Sequence, residues 1–276
     1  MQPLPSSFAR LGGRRFVARW FIAAAIATSA IPGSAASAAA NCQNPDALGT
    51  ARVLEVDAAS TPQVGTKSFA QTLPLADKEV VLTFDDGPAA TTPKVLDALR
   101  QQCTRATFFL VGSTAVAQPK LIRRMAADGH SIGHHSWSHS DLKKMSFAEA
   151  VADIDRGIAG DETALNGKAS STPTTPFFRF PYFDSTPELL AHLQSRGIVV
   201  FGADLWASDW NPMTPQQQLK LVTERLEKAR KGIILFHDPR TQTAAMIADF
   251  LRWLRDNDYR VVHVVARSAA ASAQPR

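Results

Sequence analysis

From Lys78 onward the chain alternates short apolar runs with longer stretches in which apolar residues recur every three or four positions. The runs predict strands at 80–84, 106–111, 130–133, 177–180, 198–202, 232–237 and 259–265. The stretches between them predict helices at 92–101, 119–128, 147–165, 187–196, 215–231 and 243–256. Within 147–165, Phe147, Val151, Ile154, Ile158 and Leu165 fall on one helical face. Pro119, Pro187 and Pro215 open their helices, where a missing N–H costs little, and Gly129, Gly197 and Gly232 are expected to end helices in the left-handed conformation. Strands alternating with helices predict an α/β barrel, with an open doubly wound sheet as the alternative. In either architecture, polar residues at the C-terminal ends of strands converge on one face.

The residues before Lys78 read differently. Arg10, Arg14, Arg15 and Arg19 precede an apolar run from Trp20 to Ile31, and small residues follow up to Ala40. These are the three parts of a secretion signal over 1–40, and Pro32-Gly33 stops the run short of the roughly 20 apolar residues a membrane anchor needs. An exported protein, periplasmic or extracellular, is expected, without stable membrane insertion. Residues 41–77 read as an N-terminal extension, 78–265 as the catalytic domain and 266–276 as a flexible tail. The 276 residues carry a formal charge of +5, but the leader's four arginines, with no acid among them, leave about +1 for the rest. Nothing in that balance calls for nucleic acid. In an exported protein Cys42 and Cys103 are a candidate disulfide, with two separate thiols as the alternative. A monomer is expected.

The candidate chemistry lies at the predicted strand ends. The first strand runs into Asp85-Asp86-Gly87-Pro88, and adjacent side chains there point in different directions, so the two acids can serve different partners. Taken alone, this is equally a strand capped by a polar turn. The third strand leads into His134-His135-Ser136-Trp137-Ser138-His139; His135 and His139, four apart, would share one face of a helical turn and suit one ion. With Asp86 they make a two-His, one-carboxylate set, which favours zinc and also suits cobalt or another divalent transition metal. His134 reads as a bystander, and His130, His192 and His263 as satisfied core histidines. Arg179 stands amid apolar residues at the fourth strand end, Asp204, Trp206, Asp209 and Trp210 follow the fifth, and the sixth delivers His237.

In order and context, Thr83–Pro88, His135–Ser140, Arg179–Tyr182, Asp209-Trp210 and Leu235–His237 resemble the signature motifs of the NodB-type polysaccharide deacetylases, carbohydrate esterase family four. The resemblance implies a distorted (β/α)7-type barrel and a metal-dependent hydrolase that removes N-acetyl groups from an N-acetylglucosamine-type polysaccharide or oligosaccharide. It implies that Asp86, His135 and His139 hold the metal, usually zinc. Asp85 would be the general base toward a metal-activated water and His237 the general acid. Arg179 would orient Asp85, and Asp209 would partner His237. The Tyr182 N–H would bind the oxyanion, and Leu235 and Trp210 would line the acetyl pocket. Asp204 falls outside the family spacing and receives no role. Phe183 stands where glycine is common, which would narrow the groove.

The acid–base chemistry suits an unreactive amide, which needs water activated and the leaving amine protonated. O-deacetylation, a non-catalytic carbohydrate-binding member of the fold and a small-molecule cyclic amidase are the rival readings.

Overall fold

The computed structural model describes Cys42 and residues 44–267; the leader over 1–40 and the tail beyond Arg267 lie outside the described residues. A short strand β1 (Arg52–Val56) and a two-residue β2 (Gln63–Val64) precede β3 (Glu79–Asp85). There follow α1 (Thr92–Gln101), β4 (Thr107–Leu110), α2 (Gly112–Ala117), α3 (Pro119–Ala127), β5 (Ser131–His134) and α4 (Phe147–Asn166). The chain continues through β6 (Phe177–Phe178), α5 (Pro187–Ser195), β7 (Val199–Phe201), β8 (Leu205–Trp206) and α6 (Pro215–Ala229). It closes with β9 (Gly232–His237), α7 (Thr241–Asp256) and β10 (Arg260–Ala266).

Every ladder is parallel. The central run is β8-β9-β3-β4-β5-β6-β7, and β2 pairs with β7. No ladder joins β7 to β8 among the described residues, so the ring of strands is interrupted there and the barrel is distorted. The strand expected at 259–265 forms, but as β10 it pairs along β1 and meets β3 only through Arg260 and Val261. The two-residue β8 instead takes the place beside β9.

Alternation along β3 sorts its side chains between two cores, because successive residues point to opposite faces. Val80, Leu82 and Phe84 pack among the buried residues of α1, α6 and α7. Val81 packs on the other side with Phe109, Phe177, Phe201 and Ile233, inside the barrel. Thr83 and Asp85 share that inner parity, which carries a carboxylate into the barrel interior.

The helices end where local chemistry stops them. Ser146 and Glu149 form a reciprocal capping box at the start of α4, and Thr214 and Gln217 repeat it at α6. Gly129 and Gly197 have positive φ just past α3 and α5, as expected. Gly232 does not end a helix. Arg230 takes the left-handed position after α6, and Gly232 opens β9. Its small size serves a close approach, since a Cβ there would lie 2.7 Å from the Asp204 Cβ.

The segment before β3 is fastened at several points. Cys42 and Cys103 are bridged, with Cα atoms 5.7 Å apart. Asp204 Oδ1 accepts from the N–H and hydroxyl of Thr66, and its Oδ2 accepts from Thr72 Oγ1 and the Ile233 N–H. That carboxylate therefore ties residues 66–72 to β9. Among the described residues, no helix is long and apolar enough to cross a membrane.

Candidate active site

The two acids after the first barrel strand diverge because the backbone turns between them. Asp85 is the last residue of β3 and is buried, whereas Asp86 adopts φ 71° and swings its carboxylate out of the strand's alternation. Gly87 follows, packed so closely on the buried Asp238 that a Cβ would overlap its carboxylate.

His135 and His139 meet Asp86 without forming a helical turn. β5 ends at His134, and the loop after it reverses through left-handed Ser136 and His139. The Trp137 and Ser138 N–H groups donate to Asp153 Oδ1 and hold the loop. The rings of His135 and His139 meet edge to face with centroids 5.0 Å apart. His135 Nε2 lies 3.4 Å and His139 Nε2 3.0 Å from Asp86 Oδ1. His134 points the other way, its Nδ1 2.7 Å from Asp161 Oδ2, with both groups buried.

This trio fits a divalent cation on its own geometry. Each residue offers one ligand atom, and these atoms lie within 4.8 Å of one another. His135 Nδ1 sits 2.7 Å from the Arg179 carbonyl, and by donating there it leaves Nε2 as the lone-pair atom facing Asp86. Asp86 Oδ1 is buried without a hydrogen bond of good geometry. A cation among these acceptors would satisfy all three. Burial alone would push the Asp86 carboxyl up, but His135 and His139 beside it hold it well below the usual carboxylate range.

Arg179 supports the neighbouring Asp85 from inside the barrel. It is fully buried and spends its donors on four acceptors. Nη1 reaches Asp85 Oδ1 at 2.7 Å and Thr83 Oγ1 at 2.9 Å. Nη2 donates to the Gly202 carbonyl and Nε to that of Phe201. Its guanidinium also lies 4.3 Å from the Phe109 ring centroid. Asp85 Oδ2 is left facing the Asp86–His135–His139 trio, 3.9 Å from His135 Nε2.

Across the site, His237 ends β9. Its Nδ1 is 2.7 Å from Asp209 Oδ1, while Asp209 Oδ2 accepts from the His237 N–H and from Thr243 Oγ1. His237 Nε2 is turned toward the cleft, 3.9 Å from Asp86 Oδ2. Burial works against a charged His237, but the hydrogen bond and charge of Asp209, with the charges of Asp85 and Asp86, raise it to about 9.

Asp85, Asp86, His135, His139 and His237 line one cavity of about 460 Å³, together with Tyr182, Trp210 and Leu235, while Arg179 and Asp209 are buried behind it. Leu235 is buried on β9, and Trp210 is half-exposed at the rim. Tyr182 has φ 58°, and neither hydrogen bond of its turn, Phe183 N–H to Phe180 O and Asp184 N–H to Pro181 O, uses the Tyr182 N–H. All ten residues singled out in the sequence are therefore gathered at one end of the barrel. Phe183, Trp206 and Arg240 also line the cavity. Trp206 was legible only as part of an acid–tryptophan stretch, and nothing in the sequence singled out Arg240.

The polysaccharide deacetylase family matches residues 73–201 of the chain. The peptidoglycan-N-acetylglucosamine deacetylase of Listeria monocytogenes is 32% identical over 191 residues, which are 68% of this chain and 38% of that protein. The chain thus spans well under half of that relative's length. A chitin deacetylase from Colletotrichum lindemuthianum is 31% identical over 198 residues, covering 67% of this chain and 77% of its own. A peptidoglycan deacetylase of Bdellovibrio bacteriovorus superposes with a TM-score of 0.70 at 32% identity, covering 80% of this chain and 60% of that one. With signature residues, fold and relatives in agreement, this chain belongs to the polysaccharide deacetylases, the NodB-type carbohydrate esterases of family four.

Proposed function

We propose that the protein hydrolyses the acetamido group of an N-acetylglucosamine-containing polysaccharide, releasing acetate and a free amine. The observation that carries this reading is the pair of oppositely equipped groups flanking the Asp86–His135–His139 trio. A carboxylate is held by a buried arginine on one side, and an imidazole is held by a buried carboxylate on the other. The names of the relatives, which act on peptidoglycan or chitin, support the substrate class.

A divalent cation held by Asp86, His135 and His139, which we propose to be zinc, would make water more acidic and polarise the amide carbonyl. Asp85 takes a proton from the water as its oxygen attacks the carbonyl carbon. Arg179 fixes Oδ1 of that carboxylate and leaves Oδ2 for the transfer. The Tyr182 N–H donates to the oxygen on which negative charge develops. His237 Nε2 then gives its proton to the nitrogen as the C–N bond breaks, while Asp209 holds Nδ1 and stabilises the charged ring. Leu235 and Trp210 enclose the acetyl methyl. Incubation of the metal-loaded protein with a chitin oligomer is expected to release equal amounts of acetate and amine; absence of both from acetylated polymers would overturn the reading.

The acid role sets the sign of the pH response. His237 must be protonated to act, so the rate is expected to fall as pH rises through the region where it loses its proton. Asp209→Asn removes a charge that raises this group, so the basic limb is expected to move to lower pH while the acidic limb stays. A pH–rate profile checks this, and an unmoved basic limb would exclude His237 as the acid.

The leader supports export, since a cell-wall or extracellular polymer must be met outside the cytoplasm. N-terminal sequencing of secreted protein is expected to begin near Asn41. A start at Met1 would contradict cleavage.

A further inference from the structure

A second concavity shares Trp206 with the catalytic cleft. It measures about 460 Å³ and is lined by Lys67, Asp204, Trp206, Arg225 and Lys228. Trp206 is the partition: Lys67 Nζ lies 5.1 Å from its ring centroid. The rings of Phe183 and Trp210, which line the catalytic cleft, lie 6.1 and 5.8 Å from it. The second groove therefore adjoins the cleft across this indole.

The groove is built for an anion. Arg225 is half-buried on α6, and its Nη1 is held by the Trp206 carbonyl at 2.7 Å and Ser208 Oγ at 2.6 Å. Its Nε and Nη2 make no hydrogen bond among the described residues, so the guanidinium is oriented with donors to spare. Lys67 is placed by its own N–H, which donates to the Ala203 carbonyl. Among the described residues, none of Lys67, Arg225 and Lys228 has a carboxylate within ion-pair distance. Asp204, the one acid on the wall, is already committed to four hydrogen bonds from Thr66, Thr72 and Ile233. Against the single charge of Asp204, the three cations leave the wall with a surplus of positive charge, which an anionic group would offset and a neutral acetamido sugar would not.

Resting on the reading of the cleft as a deacetylase site, we propose that this groove is a subsite for a carboxylate carried by the polymer, on a sugar adjoining the one whose acetamide is cleaved. Arg225 offers the oriented fork, Lys67 and Lys228 add point charge, and Trp206 offers its ring to the sugar between the two sites. The carboxylate is either a substituent on an amino sugar, such as a lactyl ether, or part of a uronic acid ring. The two sources present the same group.

The test measures binding by tryptophan fluorescence with full-length, metal-loaded Asp85→Asn protein, so that no ligand is turned over. The ligands are an N-acetylglucosamine–N-acetylmuramic acid tetramer, its methyl ester, a tetramer alternating N-acetylglucosamine with glucuronic acid, and a chitin tetramer. At low salt the free acid is expected to bind about tenfold tighter than its ester, the worth of one good charge-assisted contact. Lys67→Gln and Lys228→Gln are each expected to reduce that preference up to about fivefold, and raised salt should shrink it further. Whichever acid binds tighter identifies the source, and equal binding means that the carboxylate is read without regard to its attachment. Acid and ester binding alike, a preference untouched by both lysine variants, or no binding by any tetramer would overturn the proposal. Acetate release from the chitin tetramer by the wild-type protein reads the deacetylase assignment separately.

Discussion

Asp85→Asn is expected to leave the protein folded and metal-loaded while lowering kcat about 100-fold or more. The reasoning starts from the contacts. An asparagine carbonyl at Asp85 can still accept the 2.7 Å hydrogen bond from Arg179, so the barrel interior keeps its arrangement. The proposed metal ligands are untouched, because Asp86 and not Asp85 faces both imidazoles at 3.4 Å or less. What disappears is the capacity to take a proton from water. KM is expected to stay within about threefold, since the substitution removes a group whose work is done in the transition state. Steady-state kinetics beside metal analysis checks both halves. A variant that lost its metal would mean that Asp85 is a ligand, and one that kept full kcat would remove it from the reaction.

Arg179→Ala is expected to have the largest effect on stability. The guanidinium is fully buried, as is nearly all of Asp85, so its removal leaves a carboxylate in the barrel interior without its counter-ion. Breaking such a pair from one side costs about 3–5 kcal/mol, because the remaining charge stays desolvated. The carbonyls of Phe201 and Gly202 and the hydroxyl of Thr83 lose a donor as well. A fall of about 10 °C in melting temperature is expected for a domain of this size. Arg179→Met with Asp85→Asn removes both charges together and is expected to recover part of that loss. A single alanine variant melting within about 1 °C of wild type would show that the pair adds little to the fold.

Much of this site was readable because the chemistry sits where a parallel α/β fold must place it. Asp85, Asp86, Arg179 and His237 each follow a compact apolar run, and the end of such a run is the end of a strand. Asp204 was harder. Its spacing from Asp209 gave it no catalytic place, and only the folded chain reveals that it fastens Thr66 and Thr72 to β9. The spacing of His135 and His139 suggested a helical turn, yet the same proximity is reached by left-handed residues in a loop. A four-residue spacing records only that two side chains can meet. The helix α2 escaped notice because Gly112–Ala117 has no apolar period to read. β2 and β8 have only two residues each, and β1 and β2 become strands by pairing with β10 and β7, far along the chain. Trp206 gained its significance from position, since no sequence pattern discloses that one indole divides two concavities.

The measurement that bears most directly on the account is the metal content of the purified protein, set beside its turnover. Wild-type protein dialysed free of loose ions is expected to hold about one zinc per chain and to lose activity when a chelator removes it. Asp86→Asn, His135→Ala and His139→Ala are expected to lose metal and turnover together, while Asp85→Asn and His237→Ala lose turnover alone. Full activity in rigorously metal-free protein, or an Asp86→Asn variant still loaded while Asp85→Asn is empty, would contradict the division of labour between the two aspartates.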